Sequence, residues 1–174
     1  MNKEQTITGV IRGTGACVPE RILDNDEIAG FVDTSDEWIR ERTGVRKRRI
    51  AEKETTVSMA CEAGRQAVEE AGISPGEIDM ILVATGSPDQ IFPCTACRVQ
   101  EALGADGAVG FDLNAACSGF LFAYNTAQAY IASGIYRTVL VIGSESISRL
   151  VDWTDRGTCI LFGDGAGAVL LQAA

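Results

Sequence analysis

The chain has 174 residues, of which 46% are hydrophobic and 22% are charged, enough for one domain with a substantial apolar core but too few for a second complete domain. The formal net charge of −9 disfavours nucleic acid or an anionic membrane as the main partner, because the phosphate groups of either would repel most of the surface. A local basic patch can still oppose this average.

Apolar segments rich in β-branched residues recur along the chain and alternate at first with helical patterns. This alternation predicts βαβ units, an α/β fold and a mainly parallel sheet. The last two segments also predict a closing antiparallel hairpin that turns at Asp164–Gly165. In chain order the segments are TITGVIRGTGAC, DMILVATG, AVGFDLN, TVLVIGSES, TCILFG and AGAVLLQ.

Two helices are predicted in the first half of the chain. The first begins at Thr34, which forms a capping box with Glu37, and it ends at Gly44 in a left-handed C-cap. The second, TTVSMACEAGRQAVEEAG, ends in the same way at Gly72.

Two more helices are predicted in the second half. One runs from about Pro93 to Leu103, with the proline in its first turn. The other begins at or just after Cys117, within a span from Leu113 to Tyr136 that has no charged residue. Polar residues interrupt this span and apolar residues lie on every side of the helix, which is typical of a helix buried inside protein rather than in a membrane. Four helices at most cannot enclose both this helix and a two-faced sheet, so we expect something outside the chain to cover it.

The chain contains six cysteines and no histidine. The cysteines lie in apolar segments, and MNKEQTITG lacks the apolar core of a secretory signal, so we expect reduced thiols and a cytoplasmic protein. The absence of histidine constrains any catalysis, because the base that activates a catalytic cysteine or serine is usually an imidazole.

Cys117 lies in NAACSGFLFAY, where a strand-like run turns into the uncharged helix. Free backbone N–H groups and the helix dipole at such a junction stabilise an anion and therefore favour a thiolate. This position makes Cys117 the candidate nucleophile, with a small buried structural cysteine as the alternative.

Two other patterns carry weaker signals. Cys94 and Cys97 form a C-x-x-C, which suits a redox pair or half of a metal site, but one pair without histidine is more consistent with two thiols on one helix face. GTGAC and FGDGAGA are rich in glycine, yet neither matches a dinucleotide-binding loop that opens a helix. Close backbone packing and tight turns are the favoured interpretation.

The segment IRERTGVRKRRI places six of the fifteen Lys and Arg residues within ten positions, beside Trp38. Arginine forks bind phosphate and an indole can stack on an adenine ring, so this segment suits a nucleotide-bearing ligand. The alternative is a solvated charged loop.

Five segments together resemble the amino-terminal half of β-ketoacyl-acyl-carrier-protein synthase III, of the thiolase superfamily: TSDEWIRERTGVRKRRI, FPCTACRVQEALG, DLNAACSGFLFAY, VIGSES and TDRGTCILFGDGAGA. The resemblance implies one thiolase-like half-domain over residues 1–174, of order βαβαβαββ. Its expected features are a five-stranded, mixed, mostly parallel sheet and one buried central helix after Cys117.

The resemblance also implies an acyltransferase that initiates fatty acid synthesis. In the family, a cysteine that Cys117 matches takes an acyl group from acyl-CoA and condenses it with malonyl-acyl carrier protein in a decarboxylating Claisen reaction. Trp38 and Arg42 match the residues that hold the CoA adenine and phosphate, and Arg156 matches a second arginine in T-D-R-G-T. The CoA thioester is a substrate, and no cofactor or metal is implied.

The acyl pocket is implied in part. Phe92 matches the residue that closes the pocket of the neighbouring subunit in the family dimer, while Ile147 and Phe162 match positions in the pocket wall. AVGFDLN is then expected to be an edge strand that pairs with its twin.

The family fold has two similar halves, and this sequence matches the first. The catalytic histidine and asparagine, the glycine amide of the oxyanion hole and most of the carrier-protein docking surface belong to the other half. We therefore expect Cys117 to accept an acyl group without completing the condensation. Two alternatives stay open: a non-catalytic half-domain that forms a homodimer, and another condensing enzyme of the superfamily, such as hydroxymethylglutaryl-CoA synthase or a plant-type polyketide synthase.

Overall fold

A computed structural model describes residues 7–174. The strands of this range are β1 (Gly9–Cys17), β2 (Ile22–Asp24), β3 (Lys47–Arg49), β4 (Met80–Ala84), β5 (Val109–Leu113), β6 (Thr138–Ser146) and β7 (Asp164–Ala173). The helices are α1 (Asn25–Ala29), α2 (Asp36–Thr43), α3 (Thr56–Ala71), α4 (Thr95–Leu103), α5 (Gly119–Ala132) and α6 (Arg156–Cys159). Short 3₁₀ turns lie at Pro75–Glu77, Ala116–Ser118 and Ile147–Arg149.

Five strands form one sheet in the order β1-β7-β6-β4-β5, and β2 pairs with β3 in a separate ribbon. β6, β4 and β5 are parallel, whereas β7 is antiparallel to both β6 and β1. The sheet is therefore mixed, as expected, but its pairings divide evenly between the two kinds. β7 runs antiparallel because the chain returns beside β6 without a helical crossover over the sheet.

The predicted closing hairpin is wrong. TCIL does not form a strand; the helix α6 takes up its first residues, and the Asp-Gly dipeptide lies at the start of β7 instead of in a turn. The carboxylate of Asp155 accepts a hydrogen bond from the backbone N–H of Gly157 at 2.8 Å, which caps the first turn of α6. This side-chain cap starts a helix where the apolar residues of TCIL had predicted a strand.

Side-chain caps also set the start of α2. Ser35, not Thr34, is the N-cap: its hydroxyl oxygen accepts a hydrogen bond from the N–H of Trp38 at 3.1 Å. The predicted capping box of Thr34 and Glu37 is therefore wrong: the residue three positions after Ser35 is Trp38, whose side chain cannot accept the return hydrogen bond. The two predicted left-handed C-caps are confirmed, at Gly44 (φ 73°) and Gly72 (φ 69°).

The helix α4 begins at Thr95, two residues later than predicted, so Pro93 lies outside it. Asp112, a residue of β5, accepts hydrogen bonds from the N–H groups of Thr95 and Ala96, each at 2.8 Å. A carboxylate at this place satisfies two free donors of the helix and fixes where the first turn begins.

Helices cover both faces of the sheet. On one face, α3 and α4 pack against residues of β4, β6 and β7. On the other face, α5 packs against β4, β6 and β7. A third, smaller core lies between the β2–β3 ribbon, α1, α2 and α6, and contains Leu23, Ile28, Ile39, Cys159 and Ile160. Among residues 7–174, no helix combines the length and the apolarity needed to cross a bilayer.

The helix α5 is buried on one face only. Its buried residues, spaced by four, are Gly119, Ala123, Ala127 and Ile131. On the other side Leu121 is 64% exposed and Phe122 is 56% exposed. The expected all-round burial is thus not reached within these residues, and the uncovered face agrees with the expectation that something else covers it.

Glycines in GTGAC allow β1 and α3 to pack closely. A Cβ at Gly13 would lie 2.1 Å from the carbonyl oxygen of Ala67, and one at Gly15 would lie 2.0 Å from that of Ala63. No side chain fits at these positions without moving backbone, which agrees with the interpretation of the motif as close packing rather than nucleotide binding.

We therefore expect Gly15→Ala to lower the free energy of unfolding by about 2–3 kcal/mol, because α3 must move away from the sheet. Gly107→Ala is the matched control, since a Cβ at Gly107 meets no atom within 4 Å, and it should change stability by less than about 0.5 kcal/mol. Urea denaturation followed by circular dichroism measures both. Equal midpoints for the two variants would contradict the packing described.

Candidate active site

Cys117 lies in the 3₁₀ turn between β5 and α5, as predicted, and its side chain is exposed. The start of α5 packs on the end of β4 and on Gly143, three residues before the end of β6. A Cβ at Gly119 would lie 3.2 Å from the Cβ of Ala84 in β4, and one at Gly143 in β6 would lie 3.4 Å from the ring of Phe120. Cys117 is thus held at the carboxyl-terminal edge of the parallel strands, where ligands bind in open α/β sheets.

The backbone around this turn is unusual. Ala116 adopts φ 47°, in the left-handed region, which costs a non-glycine residue about 1–3 kcal/mol. Within the described residues, α5 has no side-chain hydrogen bond at its N-cap, Ser118. The N–H of Gly119, the first residue of α5, donates to the carbonyl oxygen of Ala116, so the 3₁₀ turn that contains Cys117 runs directly into the helix.

One acidic residue near the Cys117 turn was not identified from the sequence. Glu145, at the end of β6, accepts a hydrogen bond from the N–H of Gly86 at 2.7 Å and one from the hydroxyl of Ser87. Gly86 in turn lies beside Asn114, whose side-chain oxygen would be 3.6 Å from a Cβ at that glycine. Glu145 therefore ties the loop after β4 to β6, next to the segment that leads into Cys117. The available signal was one acidic residue in the otherwise uncharged run TVLVIGSES.

The three residues predicted to bind CoA come together. The Cζ atom of Arg42 lies 4.1 Å from the centroid of the Trp38 ring, and that of Arg156 lies 4.0 Å from it. Arg42 is one turn after Trp38 on α2, and Arg156 reaches the ring from α6. Cation–π attraction holds both guanidinium groups at the indole, which concentrates positive charge around a flat apolar surface.

The predicted pocket residues divide into two groups. Ile147 directly follows β6 and Phe162 lies two residues before β7; because Ser146 is paired with Asp164 in the sheet, both residues flank the same end of this strand pair. Phe92 lies elsewhere, before α4, and its side chain is 89% exposed. It therefore does not form part of a pocket within the described residues.

The C-x-x-C cysteines are adjacent in space. The Sγ atoms of Cys94 and Cys97 are 3.4 Å apart, and both residues are half-buried free thiols. The hydrogen bond with Cys94, together with burial, raises the pKa of the Cys97 thiol. Between residues 7 and 174, no cluster of three or more His, Cys, Asp or Glu side chains is arranged to hold a metal ion.

One residue of the basic segment is not available to a ligand. Arg48 is buried; its Nη1 donates to the side-chain oxygen of Asn25 at 2.8 Å, and its Nε donates to the carbonyl oxygen of Ile160 at 3.0 Å. Burial lowers the pKa of this guanidinium. Asn25 also donates to Asp36 at the start of α2, so Arg48 links the helix that carries Trp38 to the segment before Phe162.

We expect Arg48→Met to lower the free energy of unfolding by about 2–3 kcal/mol, because the Asn25 side-chain oxygen and the Ile160 carbonyl lose buried donors. Lys47→Met, on the same strand at an exposed position, is the matched control and should be nearly neutral. Thermal or urea unfolding distinguishes them. An Arg48→Met chain as stable as the control would show that these hydrogen bonds contribute nothing.

The chain is similar to known proteins in both sequence and fold. Residues 111–174 match the family model of 3-oxoacyl-[acyl-carrier-protein] synthase III. The β-ketoacyl-[acyl-carrier-protein] synthase III of Clostridium acetobutylicum is 54% identical over 162 residues, which cover 93% of this chain and 50% of that protein. The crystal structure of 3-oxoacyl-[acyl-carrier-protein] synthase III from Aquifex aeolicus superposes with a TM-score of 0.94 at 51% identity, over 95% of this chain and 54% of that one.

A priming β-ketosynthase of a polyketide biosynthetic pathway superposes equally well, with a TM-score of 0.94, but at 39% identity. These superpositions show that the chain has the fold of condensing enzymes of the thiolase superfamily. Within it, the chain belongs to the β-ketoacyl-acyl-carrier-protein synthase III family. The chain spans about half the length of the curated relatives it matches, 50% and 52% for two of them.

Proposed function

We propose that the chain is the amino-terminal half-domain of a cytoplasmic β-ketoacyl-acyl-carrier-protein synthase III, the acyltransferase that initiates fatty acid synthesis. Its own part in the reaction is to accept the acyl group from acyl-CoA. The observation that carries this proposal is the exposed thiol of Cys117 at the uncapped start of α5, on the same chain as a tryptophan held by two arginines.

In this step the Cys117 thiolate attacks the thioester carbonyl carbon of acyl-CoA. The tetrahedral intermediate collapses with loss of the CoA thiolate and leaves an acyl thioester on Cys117. We propose that this attack proceeds without an imidazole, since the sequence contains no histidine. The later condensation with malonyl-acyl carrier protein needs donors that stabilise a carbanion, so we propose that this chain by itself stops at the acyl-enzyme.

The CoA end of the substrate is assigned to Trp38, Arg42 and Arg156. We propose that the adenine ring stacks on the indole in place of one guanidinium, and that the arginines then pair with the CoA phosphates. One guanidinium then leaves the ring, whereas the other, which is about 4 Å from the ring before the ligand arrives, needs little further ordering on binding.

The proposed contacts with other protein chains are assigned from exposed apolar side chains and an edge strand. β5 is an edge strand, with Val109 and Phe111 exposed, and Ile91 and Phe92 protrude from the loop before α4. We propose that two copies pair along β5 and that Phe92 closes the acyl pocket of the partner, whose wall includes Ile147 and Phe162. The uncovered face of α5 is proposed to receive a complementary carboxy-terminal half.

The same face supports a second candidate function, a non-catalytic half-domain that associates with itself. Leu121 and Phe122 are large apolar side chains on one exposed helix face, which seldom stays uncovered on a monomer. Light scattering at micromolar concentration separates the two candidates when combined with the acylation measurement below. A dimer that never acylates would favour the second.

Incubation with acetyl-CoA should add one acetyl group to the chain, because thiol–thioester exchange needs a thiolate more than a base. Intact-mass spectrometry measures the adduct. Cys117→Ala should abolish it, while Cys61→Ala, which removes a half-buried thiol on α3, should retain it. A folded chain that gains no adduct, or gains one that survives in Cys117→Ala, would contradict the proposal.

Arg42→Ala should weaken CoA binding by about tenfold, the loss expected for one charge-assisted contact. Arg40→Ala is the matched control on the same helix, since Arg40 pairs with Asp36 at 3.1 Å. Calorimetric titration with CoA and with dephospho-CoA makes the test specific: the preference for CoA should shrink in Arg42→Ala alone. Equal affinities of the two variants would remove Arg42 from the phosphate site.

A further inference from the structure

Two thiols lie together away from Cys117, at the start of α4. Cys94 is the N-cap, with extended backbone (φ −68°, ψ 165°), and Cys97 lies within the first turn. Their Sγ atoms are 3.4 Å apart, and each side chain is half-buried rather than enclosed. A disulfide requires about 2.0 Å, a distance that side-chain rotation can reach because Cys94 lies outside the helix itself.

We propose that Cys94 and Cys97 form a dithiol site that undergoes thiol–disulfide exchange with small-molecule disulfides and closes to an intramolecular disulfide. The site goes beyond the acyl transfer assigned to Cys117 and does not depend on it. Cys97 is assigned as the resolving partner of Cys94 because, among residues 7–174, theirs is the one pair of cysteine sulfurs in hydrogen-bond contact.

The exchange proceeds in two balanced steps. The thiolate of one cysteine attacks a sulfur of the small disulfide, which forms a mixed disulfide and releases one small thiolate. The second cysteine, as its thiolate, attacks the protein sulfur of the mixed disulfide and releases the other small thiolate. The two protons of the protein thiols end on the two released thiols, so the cysteine pair is oxidised and the small disulfide is reduced.

The surroundings make this exchange slow. The N–H groups of Thr95 and Ala96, which would otherwise stabilise a thiolate at the helix start, are bonded to the carboxylate of Asp112 at 2.8 Å. This carboxylate also disfavours negative charge on the sulfur of Cys97. Exchange at the pair is therefore expected to lag behind reaction of the exposed Cys117.

The test uses oxidised glutathione on the chain carrying Cys117→Ala, which removes the exposed thiol. The expected product is two hydrogen atoms lighter, carries no glutathione, maps to a Cys94–Cys97 cross-link and reverts with dithiothreitol. Adding Cys97→Ser should instead leave a stable glutathione adduct on Cys94. Adding Cys61→Ser, a half-buried cysteine of α3, should leave the closed product unchanged.

The same reaction in urea tests whether the fold builds the site. The closed fraction should fall in favour of glutathione adducts, because the 3.4 Å contact is lost when α4 unfolds. A closed fraction that is equal in urea would overturn the proposal, since closeness in sequence would then suffice. It is also overturned if the folded chain does not react, if it retains glutathione on either cysteine, or if it cross-links another pair.

Discussion

The start of α5 lies directly on the end of β4 and on the neighbouring part of β6, and this contact determines where the chemistry of the chain can occur. Gly119 allows the helix to approach Ala84, and Gly143 gives room to the ring of Phe120. With the helix fixed in this way, the short turn that contains Cys117 has to project at the edge of the parallel strands. The left-handed backbone of Ala116 is the strain that this arrangement imposes.

Two carboxylates stabilise the same carboxyl-terminal edge of the sheet. Glu145 joins the loop after β4 to β6, and Asp112 joins β5 to the start of α4. Both are single carboxylates that accept backbone N–H groups from a different element, so each holds two segments in one geometry. The nucleotide end of the proposed site is built separately, on α2 and α6, and Arg48 holds those segments in place.

The main features of the fold follow from local sequence signals. Runs of β-branched residues predicted the strands of the central sheet, and glycines predicted the C-caps of α2 and α3. The position of Cys117 between a strand and a helix was also predicted, and its thiol is exposed. The i, i+4 spacing of Trp38 and Arg42 already placed them on one helix face.

Two of the errors concern where a helix begins, and a third concerns a buried charge. α6 depends on the Asp155 cap, and α4 begins where a carboxylate from β5 arrives, 17 positions along the chain. Arg48 was grouped with the ligand-facing basic residues because its charge is visible in the sequence and its buried partners are not. The uncovered face of α5 was foreseen from its composition, but the sequence could not show which side would remain open.

The central claim is that this chain alone carries the acyl-accepting part of a condensing-enzyme site. A crystal structure of the chain soaked with acetyl-CoA tests it most directly. The account predicts an acetyl thioester on Cys117 and the adenine on Trp38. Electron density for CoA at another surface, or an unmodified Cys117 in an ordered turn with CoA bound, would contradict it.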